Sequence, residues 1–360
     1  MQRLMVTTGG TGGHIFPALA VCEEVLGRHP QCEVLFVGGS GPEGDMARRA
    51  GLAFAALPAK GVLGTGVKKL FSAGWILRGL WGAGRIIKRF SPQVVAGFGG
   101  YASFCPVLAA QWMGLPTALH EQNSVPGAAN RLLAKRAAKV FVSFAEAATR
   151  LDAPSGRGTE HVGNPVRAAI AGVPEKTDFS ARRVLVLGGS QGARGVNDAV
   201  LAALPLLKDA GVTLRHQAGR ADEERVRAAY AAAGADADAV AGFIDDMAGA
   251  YAWADLVLCR AGASTLFEVA AAGRPSLLVP FPHATHDHQA HNARALEAAG
   301  GARVIAQQEL TGEGLARTVN GLFDAPETLA RMARGAKAFA RPDAAARMAD
   351  GLEALAAEAA

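Results

Sequence analysis

Twice in this chain an apolar run ends in Gly-Gly-[Ser/Thr]-x-Gly and passes into a segment of helical periodicity. The first instance runs Leu4-Met5-Val6-Thr7-Thr8 into Gly9-Gly10-Thr11-Gly12-Gly13, with a helical pattern from Ala18 to Leu26. The second runs Arg182–Leu187 into Gly188-Gly189-Ser190-Gln191-Gly192, with a helical pattern from Ala193 to Leu207. Strand, glycine loop and helix open a Rossmann-like domain, so two such domains are expected in these 360 residues. A loop of this kind points backbone N–H groups at the ligand side of a helix N-terminus, where they favour an anion. Read alone, the first loop is equally well a tight turn with His14 as a polar helix-start residue.

The stretches between the two loops support a doubly wound parallel α/β architecture. Strands are expected near 4–8, 33–37, 54–57, 94–98, 117–119 and 140–143, with helical patterns in the gaps. From Asp152 the sequence turns to Pro, Ser, Gly and charge, which reads as a linker reaching Pro165. The expected domains are residues 1–160 and 161–341. An Ala-rich closing helix over 342–358 is expected to pack back on the first of them.

Composition removes several function classes. The four cysteines (Cys22, Cys32, Cys105, Cys259) are scattered without a CxxC pair, which speaks against a zinc site or a disulfide framework. The N-terminus shows no basic and apolar leader pattern. Phe90–Leu119 carries no charge, yet prolines and glycines interrupt it, so buried strands and a short helix are expected there. Net charge is only +5, but Met46–His120 contains nine Lys or Arg and no Asp or Glu. Six of those cations (Lys68, Lys69, Arg78, Arg85, Lys88, Arg89) share segment 67–90 with Leu70, Phe71, Trp75, Ile76, Leu80 and Trp81. This is an amphipathic helix pattern that suits either an anionic membrane surface or packing on a sheet with a solvated basic face. No nucleic-acid motif accompanies it, and none is expected as a partner.

Neither glycine loop is a dinucleotide fingerprint. Gly10-x-Gly12 is followed by Ile15 where a third glycine belongs, and Phe36-Val37-Gly38-Gly39 supplies no acidic residue for a ribose. Both also lack the Gly-Lys-[Ser/Thr] of a P-loop. A third strand-to-helix turn, Cys259-Arg-Ala-Gly-Ala-Ser-Thr-Leu-Phe-Glu268, has more side-chain content. A helix starting at Ser264 or Thr265 offers N–H groups and hydroxyls to a diphosphate, with Glu268 one turn on to accept ribose hydroxyls; a capping pair of the same residues needs no ligand. The loop from Phe281 to Asn292 holds four histidines and Asp287, but not at the spacing of a helical metal motif; hydroxyl recognition fits it better.

Together the motifs resemble one family. Gly9-Gly-Thr-Gly-Gly-His-Ile-Phe-Pro, Gly99-Gly-Tyr-Ala-Ser, His120-Glu-Gln-Asn, Gly163-Asn-Pro-Val-Arg, Gly188-Gly-Ser-Gln-Gly-Ala-Arg, Phe243-Ile-Asp-Asp-Met and Arg260-Ala-Gly-Ala-Ser-Thr occur in order between residue 3 and about residue 340. They are similar to the MurG family, the peptidoglycan N-acetylglucosaminyltransferases of glycosyltransferase family 28. The resemblance implies a GT-B fold, two Rossmann-like domains facing a cleft. It also implies inverting transfer of GlcNAc from UDP-GlcNAc to the C4 hydroxyl of MurNAc in undecaprenyl-pyrophosphoryl-MurNAc-pentapeptide (lipid I), giving lipid II, with no metal and no cofactor. It places the protein peripherally on the cytoplasmic face of a bacterial inner membrane, with segment 67–90 against anionic lipid.

Carried over by residue, the resemblance implies that Ile244 reads uracil, Glu268 the ribose, and Ser190 with Ala263, Ser264 and Thr265 the diphosphate. Leu266 and Phe267 belong to the same donor-binding turn, Gln289 and Asn292 hold GlcNAc hydroxyls, and Arg167 meets the diphosphate or uridine. Thr11, Gly12, Gly13 and Asn123 approach the transferred sugar, while Gly99, Gly100, Tyr101 and Asn130 bind the acceptor. His14 is the candidate general base, because imidazole titrates near neutrality. No role carries over to His283, His286, His288 or His291. Two rival readings are a UDP-GlcNAc 2-epimerase and a peripheral scaffold that only binds UDP-sugars. The first has no need of segment 67–90, and a base candidate beside an acceptor loop argues against the second.

Overall fold

The computed structural model describes residues 1–57, 67–151, 158–189 and 192–358, and for 67–73 and 75 the backbone alone. Ser190 lies outside the described residues, as do the side chains of Lys68, Lys69, Leu70, Phe71 and Trp75.

Seven strands form the first sheet: β1 Arg3–Thr7, β2 Glu33–Gly38, β3 Ala53–Ala56, β4 Val94–Gly97, β5 Thr117–Glu121, β6 Lys139–Val142 and β7 Thr159–His161. Their spatial order is β3-β2-β1-β4-β5-β6-β7, paired in parallel throughout. Six more form the second: β8 Arg183–Leu187, β9 Thr213–Gln217, β10 Val240–Ala241, β11 Leu256–Cys259, β12 Ser276–Leu278 and β13 Ala302–Val304. Their order, β10-β9-β8-β11-β12-β13, repeats that of the first six strands of the other sheet. In each sheet the chain reverses its direction of travel between the first and fourth strands, where α/β sheets bind ligands.

The central strands are apolar on both faces because helices cover both. In β1, Leu4 and Val6 join one core with Ile15, Val21, Val25 and Phe36, while Met5 points oppositely into a core with Ile87, Val95, Val107 and Leu119. Helix Gly12–Arg28 supplies the first face, and helices Val67–Phe90 and Tyr101–Trp112 the second. The second unit repeats the scheme, with Val184, Val186, Leu256 and Leu258 packed against Val196, Val200 and Leu204 of helix Arg194–Asp209.

The chain divides into Met1–Arg167 together with Arg341–Ala360, and Ala168–Ala340. This division falls later than residue 160, since the segment read as linker contains β7, the edge strand paired to β6. The closing helix Ala344–Glu358 lies on the first unit. Met348, Leu352 and Leu355 enter the core of β1, at about 1.5–3 kcal/mol for each large side chain buried. Gly351 faces Phe141, where an added Cβ would sit 2.5 Å from the ring. Arg28 bonds Asp350, and Arg347 meets Glu160 at 2.7 Å, clipping the closing helix to helix Gly12–Arg28 and to edge strand β7.

Candidate functional site

In the first unit, three loops leave the carboxyl ends of β1, β4 and β5, which are adjacent strands. The register pairs Thr7 with Gly97, so the loops after β1 and β4 emerge level with each other. They then touch. Gly100 has φ +79°, and a Cβ there would stand 2.1 Å from the Gly9 carbonyl oxygen; no other residue fits. Gly99, at φ +84°, has no side chain to displace His14, whose Nδ1 would lie only 3.2 Å from an added Cβ. The predicted base and the predicted acceptor loop are therefore brought together.

His14 sits in the first turn of helix Gly12–Arg28, half-buried, with Nδ1 2.9 Å from Oε1 of Gln122. The Gln122 amide nitrogen donates to the Phe98 carbonyl at 2.8 Å and lies 3.0 Å from His120 Nδ1. His120 Nε2 in turn is 3.2 Å from the Gly163 carbonyl and 3.2 Å from Ser143 Oγ, and Ser143 donates to Asn164. Gln122, His120, Ser143 and Asn164 are all buried. Burial pushes the His120 imidazole down to about 4, only partly opposed by the Gly163 carbonyl, and nearby His14 lowers it further.

Beside this chain, the buried Glu121 carboxylate shapes the loop that carries Asn123. It accepts from the Asn123 N–H at 2.9 Å, the Gly127 N–H at 3.1 Å and the Asn130 amide at 2.8 Å. The Asn130 amide also reaches the His120 carbonyl. Asn130 is thus buried beneath the loop as part of its support. Arg167 belongs to this unit as well, its guanidinium 4.4 Å from the Phe16 ring centre. Tyr101 is exposed at the start of helix Tyr101–Trp112.

The second unit presents loops at equivalent strand ends. The loop after β8 is tied to the neighbouring strand by the Gly188 N–H donating to the Gln217 carbonyl, 2.9 Å. The Gln217 side chain then accepts from the Ile244 N–H at 3.2 Å, joining the glycine loop to the expected uracil-reading segment. After β11 the helix is Ala263–Ala271, with Gly262 as its N-cap. The expected start at Ser264 or Thr265 is therefore corrected: these residues occupy the first turn, and Gly262 holds the extended capping position (φ −65°, ψ 138°). The Leu266 N–H already donates to the Gly262 carbonyl, so backbone donors not spent within the helix lie before it. Leu266 and Phe267 have buried side chains. Glu268 is also buried and accepts from the Tyr251 hydroxyl at 3.2 Å.

Gln289 accepts from the Phe281 N–H at 3.0 Å, closing the loop after β12. Asn292 is fully buried, its amide donating to the Ala261 carbonyl at the turn before Gly262. Arg260 braces the same region through the Val279 and Pro280 carbonyls and Gln307. His286 and Asp287 both adopt left-handed backbone, with φ +54° and +52°. The residues that sequence reasoning missed are the supports: Gln122, Glu121, Gln217 and Tyr251. Gln122 carried a readable signal, since it is two residues beyond His120 and so shares its side of the strand.

Two sheets of one strand order, each with a glycine loop and a second loop–helix turn at its reversal point, place the chain in the two-Rossmann-domain GT-B fold class. The sequence matches the glycosyltransferase family 28 N-terminal domain over residues 4–142 and the glycosyltransferase family 28 C-terminal domain over 183–348. The chain belongs to glycosyltransferase family 28. A relative from Solidesulfovibrio magneticus, named UDP-N-acetylglucosamine--N-acetylmuramyl-(pentapeptide) pyrophosphoryl-undecaprenol N-acetylglucosamine transferase, is 55% identical over 345 residues, 93% of each chain. The crystal structure of Acinetobacter baumannii MurG superposes with a TM-score of 0.77 at 33% identity, covering 98% of this chain and 100% of that one. A UDP-N-acetylglucosamine 2-epimerase structure superposes at 0.68, covering 96% and 94%, but with 13% identity; that likeness is one of fold.

Proposed function

We propose that this protein transfers GlcNAc from UDP-GlcNAc to the C4 hydroxyl of MurNAc in undecaprenyl-pyrophosphoryl-MurNAc-pentapeptide, with inversion at the sugar C1. The observation that carries this reading is the 55% identity to the Solidesulfovibrio transferase, which spans both units. The second unit holds the donor: Ile244 at the uracil, Glu268 at the ribose, and the helix start at Ala263–Thr265, with Ser190, at the diphosphate. Leu266 and Phe267 hold that turn in place from the core. Gln289 shapes the sugar-facing loop, and Asn292 supports it from below. In the first unit Thr11, Gly12, Gly13, Asn123 and Arg167 flank the transferred sugar and diphosphate, and Gly99, Gly100 and Tyr101 receive the acceptor pyrophosphate, with Asn130 acting through the loop it supports.

The chemistry is a single displacement. The C4 hydroxyl loses its proton to His14 as its oxygen bonds the GlcNAc C1, and the C1–O bond to UDP breaks with its electron pair leaving on the diphosphate. The N–H groups and hydroxyls at the helix start stabilise that charge where it develops.

Among the described residues no helix is long and apolar enough to cross a membrane. The acceptor's lipid brings the enzyme to the cytoplasmic face of the membrane as a peripheral protein. Helix Val67–Phe90 suits that contact: Leu77 and Trp81 are 68% and 65% exposed, and Arg85 stacks 4.6 Å over Trp81.

The test is purified protein with UDP-GlcNAc and a lipid-linked MurNAc-pentapeptide analogue in excess EDTA. The expected result is UDP release matched by a disaccharide product. Epimerised UDP-sugar formed without acceptor, or no UDP release unless metal is restored, would overturn it.

A further inference from the structure

The polar chain behind His14 fixes more than the position of the ring. The Phe98 carbonyl can only accept a hydrogen bond, so the Gln122 atom 2.8 Å from it is the amide nitrogen. Oxygen Oε1 therefore faces His14 Nδ1 at 2.9 Å, and an amide oxygen also only accepts. The hydrogen must then reside on Nδ1. The second Gln122 proton goes to His120 Nδ1, which makes His120 a donor at Nε2 toward the Gly163 carbonyl and Ser143. Every link runs in one direction, and the depressed, neutral His120 keeps its Nδ1 an acceptor.

We propose that Gln122 is the positioning residue for the base: its amide, oriented by the Phe98 carbonyl and His120, holds His14 as the Nδ1–H tautomer and leaves the Nε2 lone pair for the acceptor proton. This rests on the reading of His14 as the general base. The arrangement resembles the carboxylate that orients a catalytic histidine in hydrolase triads, with one difference. An amide carries no charge and takes no proton, so it selects the tautomer without forming an ion pair with the imidazolium. Gly99 serves the same end, because an added Cβ would fall 3.2 Å from His14 Nδ1 and 3.5 Å from Gln122 Oε1.

The experiment combines ¹⁵N NMR of the His14 ring, assigned with a His14→Asn variant and recorded where the ring is neutral, with steady-state kinetics. The wild-type protein is expected to show a protonated Nδ1 and an unprotonated Nε2; the opposite tautomer overturns the proposal without any variant. Gln122→Met keeps the length of the side chain and removes the carbonyl acceptor. It is expected to release the tautomer and lower kcat by about 10–10³-fold, less than loss of a triad carboxylate, with donor KM within about twofold. Gln122→Glu restores an acceptor for Nδ1–H and is expected to recover that tautomer and more of kcat than Gln122→Met. A Gln122→Met protein with unchanged tautomer and kcat overturns the proposal. If His14→Asn itself turns over within about tenfold of wild type, the base reading falls, whatever the tautomer proves to be.

Discussion

The loops after β1 and β8 leave equivalent strands of two sheets with the same order, and both begin Gly-Gly. What stands behind them differs. The first is backed by titratable and amide side chains in a directed chain from half-buried His14 to buried Gln122 and His120. The second is backed by backbone and by Gln217, and a neighbouring helix start with Glu268 supplies the polar groups. On the proposed assignment, one fold unit serves proton transfer in one copy and anion binding in the other. The topology sets where a ligand sits, and the side chains arriving from the next strands set what happens to it.

That contrast can be broken at either end. His14→Ala is expected to lower kcat by about 10²–10⁴-fold, the usual contribution of general-base catalysis, as read from UDP release. With Glu268 at the ribose as proposed, Glu268→Ala should raise the KM for UDP-GlcNAc by about 10–100-fold with kcat much less affected.

A smaller effect tests what the units share, for each buries one neutral histidine. His120 and His216 are both pushed down to about 4 by burial. Unfolded, each titrates near 6.5, so between about 4 and 6.5 the unfolded chain binds more protons and stability falls as pH falls. The penalty is about 2 kcal/mol per histidine on going from pH 7 to 5, measurable by urea unfolding. Replacing either by Asn should flatten the acid limb for its own unit.

Glycine substitutions separate the loops by a further margin. Gly100→Ala forces a left-handed alanine against the Gly9 carbonyl and should cost at least about 1–3 kcal/mol. Gly262→Ala meets nothing within 4 Å at φ −65° and should cost about 1 kcal/mol or less, as an N-cap change. Equal losses in thermal unfolding would remove the distinction between a loop locked by contact and a helix start left open.

Much of this was legible in the residues. Continuous apolar runs beside glycine turns marked β1, β2, β4, β5 and β8, because strands buried on both faces carry little else. The edge strand β7 escaped, since Thr159-Glu160-His161 has no apolar alternation and is held by pairing to β6. The closing helix was expected on the first unit, but the face by which it docks was beyond composition; it depends on Gly351 leaving room for Phe141. At the site, glycines and His14 announced themselves, whereas the helix start was misplaced because Ser264 and Thr265 have capping chemistry without capping geometry. Gln122 showed only which side of the strand it shares with His120; which of its atoms donates is set by the Phe98 carbonyl, which the fold alone brings near.

The division of labour is tested most directly by titrating UDP-GlcNAc into wild-type, His14→Ala and Glu268→Ala proteins while measuring turnover of the same preparations. His14→Ala is expected to bind the donor with wild-type affinity yet turn over at least about 100-fold more slowly, and Glu268→Ala to do the reverse. A His14→Ala protein that loses donor affinity in step with turnover, or keeps turnover within about tenfold, would contradict it.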